Sequence, residues 1–245
     1  MRISILTCVL GEPEALIQTL ESLRPLLSPD ISWTLKFASS SSKSFISQFE
    51  IEYVFCHQQD DRSIYQAMNQ GIEIMESDYY FVIGAGDEVD AAGLAEALFA
   101  LKNKETTTAL FAPILWREHG TVWTPNPSEL PVRMACPHPG AILRVDYSKA
   151  IGGFDAGYRI AADYDHLSRY VRQYGFGKTL SASLVTFAGG GMSEVRAFEG
   201  TLEEELIRMR VWKSHEYAVQ ARLLRRTASI ASSLFDQVAR LHAAS

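Results

Sequence analysis

Asp78-Tyr79-Tyr80-Phe81-Val82-Ile83-Gly84-Ala85-Gly86-Asp87 sets how the rest of the chain is read. Tyr79 to Ile83 is an unbroken apolar run of strand length, and a strand that is apolar on both sides belongs inside a sheet covered on both faces. The run stops abruptly at two glycines and a carboxylate. Upstream of it, Ile64, Ala67, Met68, Gly71, Ile72 and Met75 fall on one helical face. Before that helix, Glu52 to Cys56 reads as a strand, and Trp33 to Ala38 as another. Between them lie the polar loop Ser39-Ser40-Ser41-Ser42 and a short helix around Phe45 to Phe49. The chain opens with the β-rich run Ile3 to Val9, followed by a helix carrying Ala15, Leu16, Thr19, Leu20 and Leu23. Downstream, Leu94, Ala97, Leu98 and Leu101 mark one more helix. Four alternations of strand and helix predict an α/β fold, a mostly parallel sheet flanked by helices. Such sheets bind ligands beyond the carboxyl ends of their strands, so the loops after the strands are the places to search.

The second half is less regular. Ala109 to Trp116 and Thr121 to Thr124 pair as a hairpin around His119-Gly120, and Ala141 to Arg144 is a short strand. Gly152-Gly153-Phe154-Asp155 is a turn signal with Phe154 packed inward. Asp163 to Tyr174 is a helix, Lys178 to Ala188 is extended, and Gly189-Gly190-Gly191 breaks the chain. From Phe198 onward the sequence reads as helical. The expected organisation is one domain over residues 1–196 and a C-terminal helical extension over 197–245.

Composition excludes several classes. With 23 basic and 29 acidic residues the chain carries a net charge of −6, which argues against non-specific nucleic-acid binding. No apolar run approaches the roughly 18 residues of a membrane span. Cys8, Cys56 and Cys136 are odd in number and widely spaced, which disfavours a disulfide framework or a structural zinc site and fits a reducing, cytoplasmic setting. The N-terminal apolar run is diluted by Ser4, Thr7 and Cys8 and is read as a buried strand, not as a signal peptide.

Several polar residues stand where chemistry is expected. Asp87 ends a buried strand behind Gly84 and Gly86, so it either holds a divalent cation or caps the following helix. Asp61 precedes the helix of Ile64 and Met68, as a sugar-hydroxyl ligand or a cap. Asp163 and Asp165 are two apart on a helix and point in different directions, so at most one faces a given pocket. One of them can serve as a general base while the other caps or pairs with Arg169 four residues on. His138, stiffened between Pro137 and Pro139, is a metal ligand, a hydrogen-bonding group or simply solvated.

Taken together these segments resemble a family. Asp61-Arg62-Ser63-Ile64-Tyr65-Gln66-Ala67-Met68-Asn69-Gln70-Gly71-Ile72 is similar to the family-2 glycosyltransferase stretch D-x-G-I-Y-D-A-M-N-K-G-I. Asp78 to Asp87 resembles that family's strand and metal loop, and Pro137-His138-Pro139-Gly140-Ala141 falls where it has H-Q-A. Gly152-Gly153-Phe154-Asp155 through Arg159-Ile160-Ala161-Ala162-Asp163-Tyr164-Asp165 is similar to G-G-F-D-x-x-Y-r-I-A-A-D-Y-D. The resemblance runs from about Ile3 to about Gly191 and is to the bacterial polysaccharide-assembly branch.

The resemblance implies a GT-A fold, a nucleotide-sugar donor, a glycan or lipid-linked acceptor and a Mg²⁺ or Mn²⁺ ion. It makes Asp163 the catalytic base, with Asp165 beside it, and Asp87 the metal-binding carboxylate. Asp61, Asp78 and Gly86 fall at donor-side positions. Acceptor contacts would come from the irregular half, where Trp116 and Trp123 either stack on sugar rings or pack within the hairpin. The sequence departs from the family after the second strand: Ala38-Ser39-Ser40-Ser41-Ser42-Lys43 stands in place of D-G-x-S-x-D, without either carboxylate. That departure motivates a second reading, a non-catalytic member that binds a sugar or a partner enzyme.

The C-terminal extension has its own charge pattern. From Glu205 to Ser245 there are seven basic and three acidic residues, and Ala231, Leu234, Phe235, Val238 and Leu241 line one helical face behind Arg222, Arg225 and Arg226. This pattern suits peripheral contact with an anionic inner-membrane face, or packing and homodimer formation.

Overall fold

The computed structural model describes residues 1–9, 13–59, 63–104, 108–189 and 196–213. The first half alternates: β1 (Ile3–Val9), α1 (Ala15–Leu23), β2 (Ile31–Ala38), α2 (Lys43–Ile46), β3 (Val54–Gln59), α3 (Ile64–Ile74) and β4 (Tyr79–Val82). Then come β5 (Glu88–Val89), α4 (Ala91–Lys102), β6 (Ala109–Phe111), β7 (Ile114–Trp116) and β8 (Thr121–Trp123). The chain continues through β9 (Ala141–Arg144), α5 (Val145–Ala150), α6 (Ala162–Tyr174), β10 (Lys178–Thr179), β11 (Val185–Phe187) and α7 (Ala197–Trp212).

The main sheet has the order β10-β6-β9-β4-β1-β2-β3. β3, β2, β1 and β4 are parallel, and β9 runs antiparallel between β4 and β6. The fold is therefore α/β with a mostly parallel sheet. β4 sits at its centre, and its side chains alternate between two cores. Tyr79 and Phe81 join Trp33, Leu35 and Phe37 on one face, against α1 and α4. Tyr80 and Val82 join Leu6 on the other, under α3, α6 and α7. Both faces are buried, which is why this strand reads as a continuous apolar run and not as an alternating one.

Two expectations for the second half are corrected. Ala109 to Trp116 is not one hairpin arm. Pro113 cannot donate to a ladder, and the chain changes sheets there: Ala112 N–H bonds to Gly140 O at 2.8 Å, and Pro113 O accepts from Leu184 N–H at 2.9 Å. β6 stays in the main sheet, while β7 enters a second sheet of order β5-β11-β7-β8. The hairpin is β7–β8, closed at the pair Trp116–Thr121. The extended run Lys178 to Ala188 is likewise divided, β10 going to the main sheet and β11 to the small one. The third strand begins at Val54 and not at Glu52, after Tyr53 takes a left-handed backbone conformation (φ 64°).

α7 packs against α6, and its Ile207 and Val211 are buried in the same core as Leu6 and Tyr164. No helix among the described residues is long and apolar enough to cross a membrane. The apolar face Ala231 to Leu241 and the Arg222, Arg225 and Arg226 cluster lie outside the described residues.

Candidate active site

A cavity of about 580 Å³ opens where the parallel strands end. Its floor is Cys8 from β1 with Val82, Ile83 and Gly84 from β4 and the loop after it. One side is formed by Trp116 and Trp123 of the hairpin, and another by Asp163 and Tyr164 of α6 with Thr201 and Glu204 of α7. Asp87, Asp163 and Glu204 are its carboxylates, and no lysine or arginine lines it among the described residues. An anionic group entering this cavity needs a counter-cation.

Asp87 is not the cap of the following helix. Asp90 has that role, its Oδ1 accepting from the N–H groups of Ala92 (2.8 Å) and Gly93 (3.3 Å). Asp87 is 2% exposed, and its two oxygens are used on the backbone. Oδ2 accepts from Gly84 N–H at 2.7 Å and Oδ1 from Ala188 N–H at 2.8 Å, which ties the loop after β4 to the end of β11. Burial raises its pKa, and these two donors and Arg117 oppose the rise. Gly86 gives the loop its shape. Its φ is 95°, and a Cβ there would lie 3.3 Å from that of Ala15. Its carbonyl accepts from Arg117 Nη2 at 3.1 Å, and Arg117 also pairs with Glu88 at 2.9 Å. Gly86 does not itself line the cavity.

Asp163 and Asp165 face different ways, as two positions so spaced on one helix must. Asp163 is in the first turn of α6, lines the cavity, and has Oδ1 bonded to Tyr164 N–H at 2.8 Å. Burial is the main reason its pKa is raised to about 6, with Glu204 and Glu203 of α7 adding to the rise. Asp165 is fully buried away from the cavity, paired with Arg169 (2.7 Å) and Arg210 (2.9 Å). Its ion pairs join α6 to α7, and it does not line the cavity.

His138 lies on the cavity wall, its ring edge-on to Phe154 at 5.4 Å. Burial pushes its imidazole down to about 4, so it is neutral at ordinary pH. Trp116 and Trp123 both reach the cavity. Trp116 also packs edge-on against Phe187 at 5.3 Å, and its Nε1 has no hydrogen-bond partner among the described residues. Asp78 does not reach the site. It stands at the amino end of β4, exposed, where Oδ2 accepts from Arg2 N–H at 2.7 Å, and ligands of a parallel sheet gather at the other end. Asp61 lies outside the described residues.

Tyr65 and Asn69, two residues within the α3 motif, carry no chemistry of their own yet build the site. Tyr65 Oη donates to Ile160 O at 2.5 Å, and its ring stacks on Phe154. Asn69 brackets the turn before α6: Nδ2 donates to Phe154 O at 2.8 Å and Oδ1 accepts from Phe154 N–H at 2.7 Å. Gly153 has φ 65°, and a Cβ on it would collide with Asn69 Oδ1. The double glycine and the asparagine, far apart in sequence, are thus one device. Asn69→Ala strands both Phe154 backbone groups and is expected to cost about 2–4 kcal/mol of stability, at about 1–3 kcal/mol per stranded group with partial relaxation. Urea unfolding of the two proteins measures it, and a loss under ~0.5 kcal/mol would show that the turn holds without the bracket.

The residues present fit a divalent cation only in part. No group of three or more His, Cys, Asp or Glu side chains among the described residues is placed to hold a metal. Asp87 offers one carboxylate whose oxygens each keep a lone pair after bonding one N–H. That donor set does not make a protein cage, but it suits a hard cation completed by substrate phosphates and water.

No protein-family model matches the sequence, and no curated protein matches it. The fold does have solved counterparts, a mannosyltransferase among them. One is Staphylococcus aureus TarS, at TM-score 0.66 and 12% identity, over 92% of this chain and 43% of that one. Residues 1–349 of TarS, in complex with UDP-GlcNAc, match at TM-score 0.67 and 12% identity, over 94% of this chain and 73% of that one. The mannosyltransferase PcManGT from Pyrobaculum calidifontis, in complex with GDP-Man and Mn²⁺, matches at TM-score 0.64 and 12% identity, over 98% of this chain and 80% of that one. This chain spans less than half of the longer TarS structure.

Proposed function

We propose that this chain is a glycosyltransferase that moves a sugar from a nucleotide-sugar donor to a hydroxyl of a glycan or lipid-linked acceptor, with inversion, in polysaccharide assembly. The observation that carries this is Asp163: a carboxylate in the first turn of α6, facing a cavity at the carboxyl ends of the sheet, with its pKa raised to about 6. A base for an alcohol must be ionised near neutrality yet hold a proton well, and a carboxylate of this kind does both. Asp163 takes the proton as the acceptor oxygen bonds to the anomeric carbon. The bond from that carbon to the diphosphate oxygen breaks, and its electron pair leaves with the diphosphate. Asp87 would contribute one ligand to a Mg²⁺ or Mn²⁺ ion, which, when bound, neutralises charge on the departing diphosphate. Trp116 and Trp123 offer ring faces to an acceptor sugar, and His138 is a neutral hydrogen-bonding group between the two sides.

The second reading, a binding protein without catalysis, is favoured by one observation. The loop after β2 is closed on itself: Gln58 Nε2 donates to Ala38 O (3.2 Å), Ser39 O (3.2 Å) and Ser41 O (2.7 Å), and Ser42 caps α2. Calorimetry with UDP, GDP, ADP, CDP and dTDP, each with and without Mn²⁺, tests the main reading. Mn²⁺-dependent binding of one of them is expected, and binding of none would leave the second reading standing. A lipid-linked acceptor met at a membrane through the basic C-terminal segment belongs to the same proposal. Flotation with anionic vesicles at low salt checks it, and a protein that remains in the soluble fraction removes the membrane part alone.

A further inference from the structure

α6 begins without a cap of its own. Ala161, at its N-terminal boundary, makes no capping side-chain bond, and the segment entering the helix presents three successive N–H groups. All three are taken by one side chain from far along the chain. Glu203 of α7 accepts from Arg159 N–H through Oε1 and from Ile160 and Ala161 N–H through Oε2, each at 2.8 Å. Three charge-assisted bonds from one carboxylate fix the backbone of that tripeptide, and the positive end of the α6 dipole favours the charge. From the opposite side, Tyr65 Oη holds Ile160 O at 2.5 Å. The tripeptide is clamped between α3 and α7, and Asp163 follows it by two residues. The next residue of α7, Glu204, lines the same cavity as Asp163 and is held by Arg208 Nη1 at 3.3 Å.

We propose that Glu203 is a positioning residue for Asp163, and that α7, through Glu203 and Glu204, completes the acceptor side of the site. This rests on the reading of Asp163 as the base. Its consequence is a polypeptide requirement: the sheet and α6 alone do not orient the base, and a helix starting beyond the family-like segment has to be docked for turnover. Its second consequence is electrostatic. The charged and titratable groups around Asp163 are Glu203 and Glu204 from α7, Arg208 paired with Glu204 and Glu205, Tyr65 from α3, Tyr164 on its own helix, neutral His138 on the wall, and Asp87 lining the same cavity. Both glutamates make the ionised form of Asp163 less favourable. Their charges therefore add to the rise that burial causes and move upward the pH at which the base becomes active.

The test is the pH profile of kcat/KM together with kcat for the full chain, with Glu203→Gln, Glu204→Gln and Asp163→Asn compared. Glu203→Gln keeps one acceptor oxygen but loses the charge. It is expected to lower kcat about 10- to 100-fold while donor affinity stays within about twofold, because a displaced base costs turnover and not donor binding. The acid-limb midpoint of kcat/KM, which follows the ionisation of Asp163 in the free enzyme, is expected near pH 6 in the parent and should move to lower pH. Glu204→Gln should shift that midpoint in the same direction with a smaller loss of kcat. Should Glu203→Gln fail to fold, Glu203→Asp keeps the charge with a shorter reach and is expected to lose kcat with the midpoint nearly unmoved. An unmoved midpoint together with unchanged kcat in Glu203→Gln, while Asp163→Asn is inactive, would overturn the proposal and leave the base intact. Activity surviving in Asp163→Asn would instead overturn the base assignment itself.

Discussion

Asp163→Asn is expected to lower turnover by about 10²- to 10⁴-fold with donor binding nearly unchanged, since amide and carboxylate are close in size and only the proton acceptor is lost. Asp165→Asn acts differently. It takes the charge from a fully buried carboxylate that pairs with the part-buried Arg169 and the exposed Arg210, so its expected effect is on stability, by about 1.5–3 kcal/mol. The two variants separate chemistry from architecture, and a reversal of their effects would mean that the helix presents the other carboxylate. Asp163→Asn carries a second signature. The folded pKa of Asp163, about 6, is raised above the ordinary carboxylate value, so the folded state binds the proton more tightly than the unfolded chain. Stability then falls as pH rises from about 4 through about 6, and the penalty persists above that. The asparagine variant escapes it and is expected to be more stable at pH ~7.5 by up to about 3 kcal/mol, less whatever solvent reaching the cavity face screens. Below pH ~4 the difference should vanish. Thermal melts at the two pH values measure this, and an asparagine variant no more stable at the higher pH would show that Asp163 is not held in a desolvated position.

Asp87→Ala is expected to weaken Mn²⁺-dependent donor binding by about 2–5 kcal/mol, or roughly 30- to 4,000-fold in Kd. It also strands Gly84 N–H and Ala188 N–H, so about 1–3 kcal/mol of stability should go with it. Asp87→Asn retains one acceptor oxygen for one of the two N–H groups and helps separate the two effects: part of the stability should return while metal-dependent binding stays weak. Donor binding that survives both changes and excess chelator would remove the metal from the proposal. A carboxylate that is 2% exposed and spent on two amides is a structural clasp first, and any ion it holds reads the geometry of that clasp.

The central strand was legible in the sequence because burial on both faces writes itself as consecutive apolar residues, and α3 was legible because its buried side repeats at the helical period. Asp78 and Asp87 were not separable in this way. They flank the same strand and look alike in sequence, yet one lies at its amino end bonded to Arg2 and the other at its carboxyl end beside the cavity. The direction of a parallel strand tells them apart, and direction is a property of the sheet. Pro113 is a signal that was available: a residue without an N–H inside a long strand argues for a break, and the break is where the chain changes sheets.

Local sequence suffices for the alternating α/β architecture, for the glycine loop that ends β4, and for the spacing that puts Asp163 and Asp165 on different sides of one helix. These are matters of periodicity, backbone freedom and helical geometry, each written within a short stretch of chain. Local spacing left open which of the two carboxylates faces the cavity, the family resemblance pointed to Asp163, and two further features belong to the packed molecule alone: the joining of Asn69 and Gly153 into one turn, and the closing of the start of α6 by Glu203 from 42 to 44 residues away. Those outcomes depend on which surfaces meet when the two cores are buried. Glu203 stands first in the run Glu203-Glu204-Glu205 and differs from its neighbours in nothing that the local sequence records. Its three amides are brought to it by the packing of Ile207 and Val211 against α6, and that packing is settled by the whole core at once.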